Sequence, residues 1–149
     1  MKPFLLTFEH MQFSVHYPPF QKKTLIAVTN NERARLLEAT GRDVEEFEVI
    51  ETPDPETGRV KGKNVSIEQD FDAMKEHRLS ELYGALSERM RDLLDHRGFE
   101  VAMICVPEAN KTIFMDKMHA DVLKRIDDVI PKNLASMDLN NVVRILIDG

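Results

Sequence analysis

A chain of 149 residues with 42% hydrophobic and 31% charged residues is large and apolar enough to bury its own core, which excludes a disordered tail or a disulfide-built miniprotein. A formal net charge of −6 excludes a surface that attracts nucleic acid as a whole and leaves room only for a local basic patch. The single cysteine, Cys105, excludes an internal disulfide and a cysteine-based zinc site.

Residues 1–23 predict an extended N-terminal arm. Leu6, Phe8 and His10 alternate with smaller or polar neighbours, Phe13, Val15 and Tyr17 alternate again, and Pro18-Pro19 stops any ladder. Four of the eight Phe residues (Phe4, Phe8, Phe13, Phe20) lie here, so the arm is expected to pack on its own domain or on a second subunit. Glu9 and His10 break the apolar stretch and no small-residue cleavage site follows, so no signal peptide is expected. No run approaches the roughly 20 apolar residues of a membrane span, and the expected location is the cytoplasm.

Residues 24–50 read as a three-stranded meander. Leu25-Ile-Ala-Val28 suits a strand buried on both faces. Asn30-Asn31 supplies turn chemistry. Arg35-Leu-Leu-Glu-Ala39 is the second strand, ended by Gly41-Arg-Asp43. Phe47 and Val49 alternate with Glu46 and Glu48, predicting a third strand with one wet face near a sheet edge. Residues 51–69, with Pro53, Pro55, Gly58 and Gly62, predict a long irregular connection.

The spacing of Leu79, Leu82, Tyr83, Leu86, Met90, Leu93 and Leu94 predicts a helix over 70–97 with one core-facing stripe, Asp70 as N-cap and Gly98 as its stop. Phe99–Val106 predicts a buried strand in which Cys105 is a small hydrophobe, and a strand–helix–strand order implies parallel pairing. Asn110 or Thr112 is expected to cap a helix carrying Ile113, Phe114 and Met118. Val122, Leu123 and Ile126 predict a further helical piece, Asp128-Val-Ile130 a last strand, and Ser136 caps a terminal helix with Leu139, Val142, Val143 and Leu146 on one face. The expectation is a single α/β domain over 1–149, ordered β-β-β-α-β-α-β-α, with a mixed sheet and a parallel core.

Chemical motifs are sparse. His10, His16, His77, His96 and His119 form no zinc-binding pattern. Neither phosphate-binding glycine signature occurs, and no G-x-S-x-G elbow. A sheet of this order is similar to the ribonuclease H type, but the first strand ends in Thr29-Asn30 and carries no carboxylate for a two-metal site, while Asp43, Asp54 and Asp95 fall in turns, loops or the wet helix face. The expectation is therefore no catalytic residue, no metal and no cofactor. The segment Thr57-Gly-Arg-Val-Lys-Gly-Lys63 carries Arg59, Lys61 and Lys63 together with two glycines, Gly58 and Gly62. These cations suit contact with the phosphates of RNA; on the residues alone they suit better a solvated loop in which they answer Glu51, Asp54 and Glu56.

Ile26-Ala-Val-Thr-Asn30 with Ala34-Arg35-Leu36, then Glu76-His77-Arg78 at the long helix, Val106-Pro107, and Asp128-Val-Ile-Pro-Lys-Asn-Leu134 together resemble the bacterial relatives of the central domain of archaeal and eukaryotic peptide-chain release factors, some labelled "protein required for attachment to host cells". The resemblance covers about residues 22–148. It implies a ribonuclease-H-like sheet and contact with ribosomes or transfer RNA. Release factors carry a Gly-Gly-Gln tip between a strand and the long helix. The 51–69 segment takes that place here, with Gly58, Gly62 and an isolated Gln69 but no Gly-Gly-Gln. Pelota-like recycling factors also lack the tripeptide. The expectation is thus a non-catalytic release-factor-like domain that contacts ribosomal or transfer RNA through Arg59, Lys61 and Lys63. The alternatives are a homodimeric interaction domain using the Phe-rich arm, or a hydrolase of unknown type.

Overall fold

The computed structural model describes residues 9–52 and 67–148, with backbone alone over residues 67–72. Six strands form one mixed sheet: β1 (His10–Gln12), β2 (Phe20–Thr29), β3 (Arg33–Gly41), β4 (Asp43–Glu51), β5 (Val101–Cys105) and β6 (Ile126–Ile130), in spatial order β1-β4-β3-β2-β5-β6. The meander β2-β3-β4 is antiparallel, and β2-β5-β6 form the expected parallel half. Helix α1 (Ile67–His96) leads from β4 to β5, and β5 lands beside β2, not beside β4. A 3-10 turn (Glu108–Asn110), α2 (Lys111–Lys117) and α3 (Ala120–Leu123) lead to β6, and α4 (Leu139–Asp148) ends the chain.

Two cores sandwich the sheet. Leu25 and Ala27 of β2 face α1, whose stripe from Leu79 to Leu94 is buried as the 3-4 spacing predicts; Ile26 and Val28 face α4, where Leu139, Val142, Val143 and Leu146 are buried. A strand covered by helices on both sides has no wet face, which is why β2 reads as a continuous apolar run. Gly41 stands at φ 59° at the first central position of the β3–β4 turn, a conformation that suits glycine, and Gly98 at φ 78° follows α1.

Over its described part the arm packs on its own domain, the first of the two alternatives, and several other expectations need correction. His10–Gln12 pair with Asp43–Glu45, Phe13 is buried against the α4 core and packs edge-on against Phe20, and the Tyr17 hydroxyl donates to Asp148. β4 does not alternate cleanly. The register shifts between Leu36↔Glu48 and Leu37↔Glu46, so Phe47 and Glu48 both serve the α1 side, Phe47 in the core and Glu48 in a forked bond to Arg89. Asp70 lies inside α1, which begins at Ile67. Ile126 opens β6, because its parallel pairing with Ala102 outcompetes one more helical residue; Arg125 is held just before it by the carbonyls of Leu94, Phe99 and Glu100. Asp138, not Ser136, caps α4: its carboxylate accepts from the Asn141 N–H at 2.9 Å. Asn110 precedes α2, but its side chain makes no cap bond.

Candidate functional site

β2, β4, β5 and β6 run the same way, so their carboxyl ends share one end of the sheet. Open α/β sheets bind ligands at that end, where neighbouring strands send their connections in opposite directions. β2 and β5 are such a pair here, since one continues to β3 and the other towards β6.

The position between them is filled. Tyr83 comes up from α1 fully buried and packs edge-on against Phe114 at 5.2 Å between ring centroids. Its hydroxyl lies 3.2 Å from Thr29 Oγ1 and accepts from Asn110 Nδ2 at 3.2 Å, and Asn110 also donates to Asn31 Oδ1 at 2.7 Å. Asn30 Oδ1 accepts from the backbone N–H groups of Glu32 and Arg33 and so fixes the β2–β3 turn predicted from Asn30-Asn31. Thr52 N–H donates to Glu32 O, tying the end of β4 to the same turn. These groups satisfy one another, and burial pushes the Tyr83 hydroxyl above its ordinary pKa, so it stays protonated. Burial likewise pushes Cys105 up to about 11, and its thiol donates to Lys132 O. Neither is an activated nucleophile.

On the α4 side of the same end lies a cleft of about 460 Å³. Arg33 and Arg35 from β3, Glu46 and Val49 from β4, and the 135–138 segment line it. Arg35 is buried and saturated. Its Nε and Nη2 donate to Glu46 Oε1 at 3.0 and 2.7 Å, and its Nη1 donates to the carbonyls of Ala135 and Met137.

The third feature is the start of α1. The five consecutive residues 73–77 are all exposed, which is more than one 3.6-residue turn, so every face of the helix meets solvent there. From residue 73 onward burial begins at Leu79, and at 1.5 Å per residue the helix axis runs about 18 Å from there back to Ile67. The helix thus projects beyond the sheet at the carboxyl end.

Arg59, Lys61 and Lys63 lie outside the described residues, in the stretch joining Thr52 to Ile67. Among the described residues no three His, Cys, Asp or Glu side chains group as a metal site. His10 meets Asp43, His77 meets Glu81 and His96 meets Asp92, all at the surface, and His119 caps α3. Among the described residues no helix is long and apolar enough to cross a membrane. Sequence reasoning placed Tyr83 in the core but missed its hydroxyl partners, and it saw Arg35 only as part of a strand. The signal available for both was a polar group inside an otherwise apolar, buried pattern.

Residues 21–142 match the family model of bacterial archaeo-eukaryotic release factor family 10. No curated protein matches the chain. Among solved structures it is similar to Dom34 of S. cerevisiae, a translation termination-like factor involved in RNA quality control pathways and interacting with Hbs1, at 14% identity and a TM-score of 0.48. The alignment covers 85% of this chain and 33% of Dom34, so the chain spans about a third of that protein's length.

Proposed function

We propose, from the premise that this chain belongs to bacterial archaeo-eukaryotic release factor family 10, that it is a non-catalytic release-factor-like domain that contacts ribosomal or transfer RNA through Arg59, Lys61 and Lys63. The family match over 21–142 carries the reading. The exposed residues 73–77 of α1 support it, because a solvent-facing stretch of helix lies on the chain's path from the basic segment into the domain. The sheet order β4-β3-β2-β5-β6, with an antiparallel half and a parallel half, supports a ribonuclease-H-like architecture. The non-catalytic part rests on the chain itself: no Gly-Gly-Gln precedes α1, and the buried Tyr83 and Cys105 are held protonated.

The test is ribosome co-sedimentation across a salt series, wild type against the triple variant Arg59→Ala/Lys61→Ala/Lys63→Ala. Three lost phosphate contacts should flatten the log–log salt dependence by about two. Identical pelleting and an identical slope would remove the basic segment from the mechanism.

A further inference from the structure

The sheet ends on one side at β6, which pairs with β5 and with no other strand among the described residues. Such an edge presents a row of main-chain N–H and C=O groups to whatever approaches it. At about 3.3 Å per residue, Ile126–Ile130 offers roughly 16 Å of it. Adding a strand to an open edge is one way in which proteins take up extended peptides: the main chain gives affinity and alternate side chains give specificity.

The side chains say what kind of strand fits. Asp127 and Asp128 are both exposed, and neither enters an ion pair among the described residues. The cations that precede them are engaged elsewhere: Lys124 reaches Asp121, and Arg125 donates to the carbonyls of Leu94, Phe99 and Glu100. Asp128 is the register partner of Met103, which packs towards the α4 core, so both side chains stand on that face of the sheet. Ile130, two residues on, is half-buried on the same face. One strand further in, Met103 lines an apolar groove of about 220 Å³ with Pro18, Pro19, Phe20, Leu146 and Ile147. Along one face, then, a carboxylate at the open edge is followed by an isoleucine, with apolar surface behind them. A second copy does not suit this edge. Two β6 strands laid side by side would bring four carboxylates together, and like charges across a strand pair repel. A strand with a cation opposite Asp128 and an apolar side chain opposite Ile130 complements both positions.

We propose that the β6 edge is a docking site for an extended segment of a partner protein in which lysine or arginine alternates with apolar residues. The site is independent of RNA contact by Arg59, Lys61 and Lys63, and either can fail alone.

The experiment is an amide NMR titration of the full chain, at about 0.15 M salt, with three short peptides. One alternates lysine with valine, one alternates glutamate with valine, and one carries the same number of lysines spaced by glycine and proline. The lysine–valine peptide should give saturable shifts at Ile126–Ile130 and slow amide exchange along that strand, and the other two should give neither. Asp127→Asn/Asp128→Asn should weaken the lysine–valine peptide about fivefold, the worth of two exposed charge pairs. The spectrum away from β6 reports that this double variant folds. Absence of saturation at β6, an equal response to the glycine–proline peptide, or an unchanged affinity of the double variant would overturn the proposal. Concentration-dependent shifts of the same amides without peptide would overturn it too, because a second copy would then be the occupant.

Discussion

Replacing Arg35 by Met should be the most damaging single change near the cleft. The substitution removes the partner of Glu46, whose side chain is 12% exposed against 8% for Arg35, and it strips donors from the carbonyls of Ala135 and Met137, 100 and 102 residues away. Leaving one member of a buried ion pair uncompensated costs about 3–5 kcal/mol, against a total stability on the order of 5–15 kcal/mol for a domain. With a urea dependence of about 2 kcal/mol/M, the unfolding midpoint should fall by about 1.5–2.5 M. The double variant Arg35→Met/Glu46→Leu should recover most of that, since apolar replacement of a whole buried pair is often neutral. Equilibrium urea unfolding followed by far-UV circular dichroism reads both. A shift under 0.5 M for Arg35→Met, or no recovery in the double variant, would refute the view that this pair clamps the 135–138 segment to the sheet.

Asp138→Ala should lose about 1 kcal/mol through the α4 cap, while Ser136→Ala should be silent within error in the same urea measurement. Stability should fall as pH rises above 9, because Cys105 is held near 11 in the folded state and ionises more readily once unfolded. That contribution, of order 2 kcal/mol, is complete below pH 9 and lost by about pH 11, so Cys105→Ala should flatten the first part of the alkaline decline before Tyr83, also raised by burial, extends it.

Legibility followed the range of the interactions. The α1 stripe from Leu79 to Leu94 and the run Leu25–Val28 could be read directly, because a 3-4 spacing and an unbroken apolar run each record burial in adjacent letters. The bulge at Phe47 could not. It accompanies the meeting of Glu48 with Arg89, 41 residues away, and a strand that slips one register looks like simple alternation in sequence. Ile126 was drawn into a helix by its spacing from Val122, and tertiary pairing with Ala102 overrode that local preference. Ser136 and Asp138 are both good caps; the choice between them depends on where Arg35 holds the preceding carbonyls.

The carboxyl end of the sheet divides its polar groups in a way that bears on what the domain can do. On the α1 side, buried Thr29, Tyr83 and Asn110 bond one another and Asn110 donates to exposed Asn31, so they tie α1 to the β2–β3 turn. On the α4 side, Arg35 and Glu46 are spent on each other, and only Arg33 keeps an unmet donor. Acid–base catalysis needs a group poised between two protonation states near neutral pH. Tyr83 and Cys105 are displaced away from that range, and His10, His77 and His96 sit at the surface against carboxylates of the body. What this end of the sheet presents outward is a cleft lined by Arg33 and a long helix exposed on every face over residues 73–77. The proposed recognition role rests on these features in this member of bacterial archaeo-eukaryotic release factor family 10, whose sequence has no Gly-Gly-Gln ahead of α1.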